Sequence, residues 1–183
     1  VLLVEGYPRW EYHYLKNLLV REKSIESSIM LLSADRDFAQ EGDVPITRLP
    51  RTAEEFGVYD LIVIGDVPST FFTPEQLLLI RDAVAERGAG LLWMGGPRAT
   101  PKSWSETVLA DLLPMRPPLD LQAIGEPVNM VPTPQASRLG VLQIILGDQA
   151  GWPNELADPS YGWSQLQYAQ RIEPSQLKPT SEA

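Results

Sequence analysis

Four charged side chains follow apolar runs in this 183-residue chain, and together they could support chemistry at one edge of a sheet. Glu5 follows residues 1–4 and precedes Arg9 by four positions, Asp66 follows "LIVIG", and Arg98 follows "LLWMGGP". Paired carboxylates can do acid/base work or hold Mg²⁺, and Glu11 could join them. The same acids can instead pair with the two arginines or accept hydrogen bonds at helix starts. We favour this second, structural interpretation.

The turn after "LLW" is the place where many α/β enzymes mount a nucleophile. A nucleophile elbow needs a Ser or Cys between glycines, and the segment Met94-Gly95-Gly96-Pro97 has neither. We therefore predict no catalytic residue at this elbow turn. The glycines are expected to let the chain turn tightly and approach its neighbours closely.

The hydroxyls expected near this edge are Ser69, Thr70 and Ser103. A serine hydrolase needs a base that accepts the hydroxyl proton. The only histidine is His13, in the first predicted helix, where an exposed or structural role is more common. The residues therefore do not favour a histidine-dependent triad.

Metal and phosphate sites have little support in the sequence. There is no cysteine and a single histidine, which excludes metal centres built from these two residue types. The stretch "EGYPRWEY" has one glycine and lacks the spacing of a phosphate-binding loop. We predict no metal and no cofactor.

Composition limits the partners. The chain is 44% hydrophobic and 21% charged, as expected for one globular domain with a substantial core. A net charge of -9 and a pI near 4.6 argue against nucleic acid and against an anionic membrane surface. No apolar run approaches 18 residues, so we expect the chain to be soluble as given, and its abrupt start on Val1 suggests a piece of a longer protein.

Hydrophobic periodicity predicts alternating strands and helices. Strands are expected at 1–4, 25–32, 59–65 and 90–94, and further ones at 119–131 and 139–146. Helices are expected at 9–22, 52–56, 74–87 and 104–113. The first helix should bury Trp10, Tyr14, Leu18 and Leu19. The third helix should start after the N-cap Thr73 and bury Leu77, Ile80, Val84 and Ala85. The last helix should be capped by Ser103.

This alternation predicts an α/β fold, an open and mostly parallel sheet with helices on both faces, as in flavodoxin-like proteins. We expect residues 1–150 to form the domain and residues 151–183 to pack on it as an extended segment. Loops 5–10, 65–70 and 95–100 should then converge at the carboxyl edge of the sheet. Glu5, Arg9, Asp66 and Arg98 are the expected rim of a polar ligand site there.

Aromatic residues form a second candidate surface. They occur early in the chain and again near its end. They could line a ligand or partner surface, although packing of their side chains in the core and in the C-terminal segment is the more ordinary interpretation. The residues are Trp10, Tyr12, Tyr14, Trp152, Tyr161, Trp163 and Tyr168.

Several strings together resemble a known family. "VLLVEGYPRWEYHYLKNLL", "SADRDFAQEGD", "YDLIVIGD" and "GAGLLWMGGPRA" are similar to the glutamine amidotransferase-like domain of bacterial, often membrane-anchored, proteins, within the class I glutamine amidotransferase-like superfamily. The resemblance runs from residue 1 to about 116 and returns in "LADPSYGW" and "IEPSQLKP".

The resemblance implies the fold but not the activity. Members that hydrolyse glutamine carry a cysteine at the elbow and a late histidine with an acidic partner, whereas this chain has Met94-Gly95-Gly96 and no histidine after His13. We therefore expect a non-catalytic binding or interaction module of a larger, membrane-anchored bacterial protein. Its partner would be another protein or a small polar ligand, and membrane contact would come only from segments outside this chain. The alternatives are a hydrolase using cleft carboxylates or a bound metal, and a nucleotide- or flavin-binding module.

Overall fold

A computed structural model describes residues 1–35, 37–119, 121–131, 133–140, 165–179 and 181. The elements of the first hundred residues are β1 (Leu2–Glu5), α1 (Trp10–Arg21), β2 (Ser28–Leu31), α2 (Ala53–Gly57), β3 (Leu61–Ile64), α3 (Pro74–Ala85) and β4 (Gly90–Trp93). They are followed by β5 (Gln122–Ile124), β6 (Val128–Asn129), α4 (Pro134–Leu139), β7 (Gln165–Leu166) and β8 (Ala169–Arg171).

The centre of the fold is a four-stranded sheet with the order β2-β1-β3-β4, in which every neighbouring pair is parallel. β1 lies between β2 and β3, with Val4 opposite both Met30 and Ile64. The three apolar residues of β1, Leu2 to Val4, are inaccessible to solvent. The expected α/β fold with a mostly parallel sheet is confirmed, and its short apolar runs are continuous because helices cover both faces.

The two faces of the sheet carry different helices. Leu2, Val4, Ile62 and Ile64 pack with Phe56 of α2 and Ile80 of α3, together with Trp104 and Leu109. On the opposite face, Leu3, Ile29, Leu31 and Val63 pack with Tyr12 and Leu19 of α1. The alternation of side chains along each strand distributes them between these two cores.

α1 buries a different face from the one predicted. Of the four residues expected to be buried, only Leu19 is; Trp10, Tyr14 and Leu18 are exposed. The buried side instead uses Tyr12, whose hydroxyl donates to Glu41 at 3.0 Å, and Leu19 seven residues later. Both stripes have helical spacing in the sequence, and contact with the sheet selected the Tyr12 stripe.

α3 begins where the sequence predicts. The Thr73 hydroxyl accepts from the Gln76 amide at 3.2 Å, and the Gln76 side chain accepts from the Thr73 amide at 2.9 Å, which completes a capping box in front of Pro74. The buried face differs in part: Leu77 and Ile80 are buried as predicted, but Ala83 is buried in place of Val84 and Ala85.

Replacing Thr73 by alanine is expected to lower the free energy of unfolding by about 1 kcal/mol, because it removes the hydroxyl that satisfies an amide of the first turn. Urea denaturation measures the change. Thr47→Ala, at an exposed loop position, is the matched control and should alter the stability by less than about 0.5 kcal/mol. An equal effect of both substitutions would contradict the role of the cap.

The segment after β4 also departs from the prediction. Instead of an α-helix over 104–113, there are two short 3₁₀ helices, Lys102–Trp104 and Val108–Leu112. Ser103 is not an N-cap, since it lies inside the first of these and its hydroxyl accepts from the Ser69 amide at 3.1 Å. The strand expected at 119–131 is divided into β5 and β6, and most of the strand expected at 139–146 lies outside the described residues.

The described part of the C-terminal region pairs with the segment after β4. β8 is antiparallel to β5, and β7 is antiparallel to β6. Lys178 donates to the carbonyl oxygens of Ala110 and Asp111 at 3.0 and 2.7 Å, which anchors residues 174–178 against the end of a 3₁₀ helix. None of the helices in the described ranges combines the length and apolar character needed to cross a membrane.

Candidate functional site

The candidate site lies at the carboxyl ends of β1 and β3, which are adjacent in the sheet. The chain leaves β1 toward β2 on one side, whereas β3 and β4 lie on the other, so this is the point where the strand order reverses. Ligands of open α/β sheets bind in the crevice at such points. At this point lie two carboxylates of the chain itself, Glu5 and Asp66, which are 0% and 1% exposed.

Glu5 connects β1 to β3 and to the start of α1. Its Oε1 accepts from the Gly6 amide at 2.9 Å and from the Asp66 amide at 2.8 Å, while its Oε2 accepts from Nε of Arg9 at 3.0 Å. The ion pair compensates the loss of hydration of this fully buried carboxylate. Both carboxylate oxygens of Glu5 therefore already accept hydrogen bonds from the chain itself.

Arg9 ties the same carboxylate to the loop after β4. Its Nη1 donates to the Gly95 carbonyl and its Nη2 to the Met94 carbonyl, both at 2.9 Å. All three guanidinium nitrogens thus have an acceptor, and the Arg9 side chain is only 10% exposed. Arg9 positions the elbow turn relative to β1, as a planar fork of donors can do.

Asp66 holds the loop after the elbow turn. Its Oδ1 accepts from the amides of Ala99 and Thr100 at 2.7 and 2.9 Å, and its Oδ2 accepts from the Arg98 amide at 2.9 Å. A fourth donor, the Tyr7 hydroxyl, reaches Oδ2 at 3.0 Å. Three consecutive backbone amides that point at one negative charge form an anion-binding concavity, and the chain fills it with its own side chain.

Close approach explains why glycine stands at Gly65 and Gly96. A Cβ at Gly65 would lie 2.5 Å from Oε1 of Glu5 and closer still to the rest of that carboxyl group. A Cβ at Gly96 would lie 2.5 Å from Cβ of Asp66. The carboxylates therefore pack directly on backbone that carries no side chain.

The elbow turn is not a nucleophile elbow in its backbone either. Among the described residues, positive φ occurs only at Gly42, Gly88 and Gly140, so Gly95 and Gly96 do not adopt the left-handed conformation. No α-helix starts at this turn. The expected role in close approach holds for Gly96, whose neighbour is the Asp66 side chain.

Arg98 is the predicted rim residue that reaches solvent. Its backbone amide is held by Asp66, and its guanidinium lies 3.8 Å from the centroid of the Tyr7 ring, a cation–π arrangement. No carboxylate in the described part of the chain pairs with this guanidinium. Burial, and then the hydrogen bond to Asp66, raise the pKa of Tyr7, so its hydroxyl stays protonated as a donor.

Sequence reasoning missed three residues of this cluster. Besides Tyr7, these are Thr100, whose hydroxyl donates to the Gly65 carbonyl at 2.7 Å and accepts from the Val67 amide at 3.2 Å, and Tyr168, whose hydroxyl donates to the Gly96 carbonyl at 3.1 Å. Tyr7 lies inside the quoted string "EGYPRW", which was a usable signal. Thr100 ends the loop 95–100 that is expected at this edge, and Tyr168 is named only as part of the aromatic surface, so neither is assigned a role at this site from the sequence.

The other candidates do not join the carboxylates. Ser69 and Ser103 bond to each other's backbone, since the Ser69 hydroxyl donates to the Ser103 carbonyl at 2.5 Å. His13 is exposed on α1 beside the rings of Trp10 and Tyr12. Glu11 is 59% exposed and its carboxylate lies 4.0 Å from Nη1 of Arg9. Thr70 lies in the 3₁₀ helix Ser69–Phe71 after β3.

The arrangement is suited to holding loops rather than to moving protons. Asp66 accepts from four donors and Glu5 from three, and both carboxylates are removed from solvent, so neither is presented to an incoming substrate. Among the described residues, no three His, Cys, Asp or Glu side chains are grouped in a way that could hold a metal ion. Comparison with protein-family models, with curated proteins and with solved structures found no match.

Proposed function

We propose that this chain is a non-catalytic binding or interaction module, related in fold to the class I glutamine amidotransferase-like proteins that its sequence resembles, and part of a larger, membrane-anchored bacterial protein. The flavodoxin-like strand order belongs to the same proposal. The observation that carries it is the Asp66 carboxylate within the amides of residues 98–100, since a charged side chain of the chain itself occupies the anion-binding position at the switch point.

The geometry gives the hydrolase alternative less support. A general base must lie within reach of a substrate proton, and a buried carboxylate with four donors has no free lone pair directed at solvent. Glu5 is bound in the same way by two amides and Arg9. Using either residue in catalysis would first require breaking several of these bonds.

The nucleotide- or flavin-binding alternative meets the same obstacle. A phosphate at the switch point would need the amides of residues 98–100. These amides already donate to the Asp66 carboxylate at 2.7 to 2.9 Å, and the negative charge of that carboxylate would repel the phosphate. Binding of such a ligand here would require Asp66 to leave its position.

The binding surface of the proposed module lies around Arg98, on the solvent side of the cluster formed by Glu5, Arg9 and Asp66. Arg98 is exposed, its guanidinium lies 3.8 Å from the centroid of the Tyr7 ring, and its backbone amide is held by Asp66. A guanidinium is a planar fork of donors that favours carboxylate groups, either of a small polar ligand or of an acidic partner segment. The ligand class that fits is therefore anionic at the end that meets Arg98.

The pure chain is expected to release no glutamate from glutamine above the level of the heat-unfolded chain. Activity that is lost on unfolding, and that persists after Ser69, Ser103 and His13 are each replaced by alanine, would refute the proposal.

Thermal melts with glutamate, succinate, inorganic phosphate, FMN and AMP test binding, since a ligand that binds only the native state raises the Tm.

We expect a carboxylate to raise the Tm, and Arg98→Ala to abolish this shift while lowering the Tm of the free protein by no more than about 4 °C, the cost of losing the contact with Tyr7. Arg51→Ala is the matched control, because Arg51 is also an exposed arginine but lies before α2. A shift with FMN or AMP that survives Arg98→Ala would favour the nucleotide- or flavin-binding alternative instead.

A further inference from the structure

The outward side of α1 carries a row of large apolar side chains. Trp10 is 74% exposed, Tyr14 73% and Leu18 51%, and their spacing of four residues places them along one line of the helix. We call these three residues the outer stripe. They lie on the opposite side of the helix from Tyr12 and Leu19, which are buried against the sheet. A row of this kind on a soluble surface marks an interaction site more often than do single exposed residues.

The stripe has a charge of opposite sign near each end. Glu11, in the first turn, is 59% exposed and lies 4.0 Å from Nη1 of Arg9, whose hydrogen bonds go to Glu5 and to the carbonyls of the elbow turn. Arg21, in the last turn, is exposed and has no ion pair with any residue in the described ranges. Glu11 and Arg21 therefore place one negative and one positive side chain near opposite ends of the stripe.

We propose that the outer stripe binds the same stripe of a second copy of this chain, with the two α1 helices antiparallel. Antiparallel packing brings Tyr14 against Leu18 of the second copy and places Glu11 level with its Arg21. The same register lays Trp10 over the Arg21 side chain of the second copy, a cation–π contact. Opposed helix dipoles add to the attraction, and the two-fold symmetry closes the assembly at a dimer.

The exposed area is in the range of a weak, specific dimer. Large aromatic side chains offer about 200 Å² each, so the stripe exposes on the order of 400 Å² per copy and a dimer would bury about 800 Å² from these residues alone. Rim residues bring the total near 1,000 Å², roughly the lower limit for a specific interface. This inference goes beyond the proposed function, because it uses the outer side of α1 and not Arg98, so either can fail without the other.

Sedimentation velocity of the full chain between about 1 and 200 µM, at an ionic strength that screens its net charge of -9, tests the proposal. We expect a monomer–dimer equilibrium with a micromolar Kd. Tyr14→Glu should raise that Kd at least about tenfold, because it buries like charges near the two-fold axis. Leu78→Glu is the matched control, since Leu78 is 39% exposed on α3, and should leave the Kd unchanged.

A charge exchange tests the orientation of the helices. Arg21→Glu should raise the Kd severalfold, and adding Glu11→Arg to it should recover part of that loss, because the exchanged pair still has opposite signs although the contact of Trp10 with Arg21 is gone. Circular dichroism confirms that each variant keeps its helices. A wild-type chain that stays monomeric over the whole concentration range overturns the proposal. This is the result expected if the outer stripe binds a different protein. A dimer unaffected by Tyr14→Glu, or a double variant no tighter than Arg21→Glu alone, also overturns the proposal.

Discussion

Asp66→Ala is expected to lower the free energy of unfolding by about 4 kcal/mol, the largest effect of any single change at the carboxyl edge. The substitution removes the acceptor of three buried backbone amides and of the Tyr7 hydroxyl at once. Each buried donor left without a partner costs about 1–3 kcal/mol, and water entering the cavity returns part of that cost. Urea denaturation monitored by tryptophan fluorescence measures the loss.

Two further variants make the Asp66 result specific. Asp82→Ala removes a half-exposed carboxylate paired with the adjacent Arg81 and should change the stability by less than about 0.5 kcal/mol. Asp66→Asn keeps the volume and one oxygen for the Ala99 and Thr100 amides, but turns an NH₂ group toward the Arg98 amide, so it should cost less than alanine and still about 1 kcal/mol or more. A loss of less than about 1 kcal/mol in Asp66→Ala would mean that Asp66 does not hold the 98–100 loop in solution.

Gly65→Ala is expected to destabilise the chain by about 3 kcal/mol or more, although it adds a single methyl group. The new Cβ would overlap the carboxylate of Glu5. A flexible side chain could move aside, but this one is fixed by the amides of Gly6 and Asp66 and by Arg9. Any movement large enough to relieve the overlap breaks these bonds.

Gly125→Ala is the matched control, since a Cβ there meets nothing within 4 Å and the residue does not have a positive φ. It should be neutral or stabilising by up to about 0.5 kcal/mol. Combining Gly65→Ala with Glu5→Ala should cost less than the sum of the two single changes, because removing the carboxylate also removes the overlap. Simple additivity in this double-mutant cycle would show that the methyl group does not act through Glu5.

Local signals in the sequence were sufficient to predict the elements that form the sheet. β1 and β3 are short apolar runs that end at Glu5 and Ile64, and α3 starts at Pro74 after the N-cap Thr73, where the capping residues predict it. Such signals depend on neighbours within a few positions, which is why they can be read without the tertiary structure. The convergence of Glu5, Arg9, Asp66 and Arg98 followed from the same alternation of strands and helices.

The role of each converging side chain could not be predicted in this way. Whether Asp66 faces a ligand or the amides of residues 98–100 depends on the path of a loop 32 positions away. The buried face of α1 had the same ambiguity, because the stripes containing Tyr12 and Tyr14 both have helical spacing. The contact of Tyr12 with Glu41, 29 residues along the chain, belongs to the stripe that is buried.

The sequence by itself determined the α/β alternation, the parallel sheet, the lack of a Ser or Cys at the turn after β4, and the edge at which the charged residues meet. Each of these rests on local periodicity or on residue identity, and a chain without a cysteine has no thiol nucleophile in any fold. Only the tertiary structure decided that Glu5 and Asp66 bind donors of the chain itself and that Trp10, Tyr14 and Leu18 remain exposed. Those outcomes depend on contacts between distant segments, where burial and hydrogen-bond satisfaction select one arrangement among several that the sequence permits.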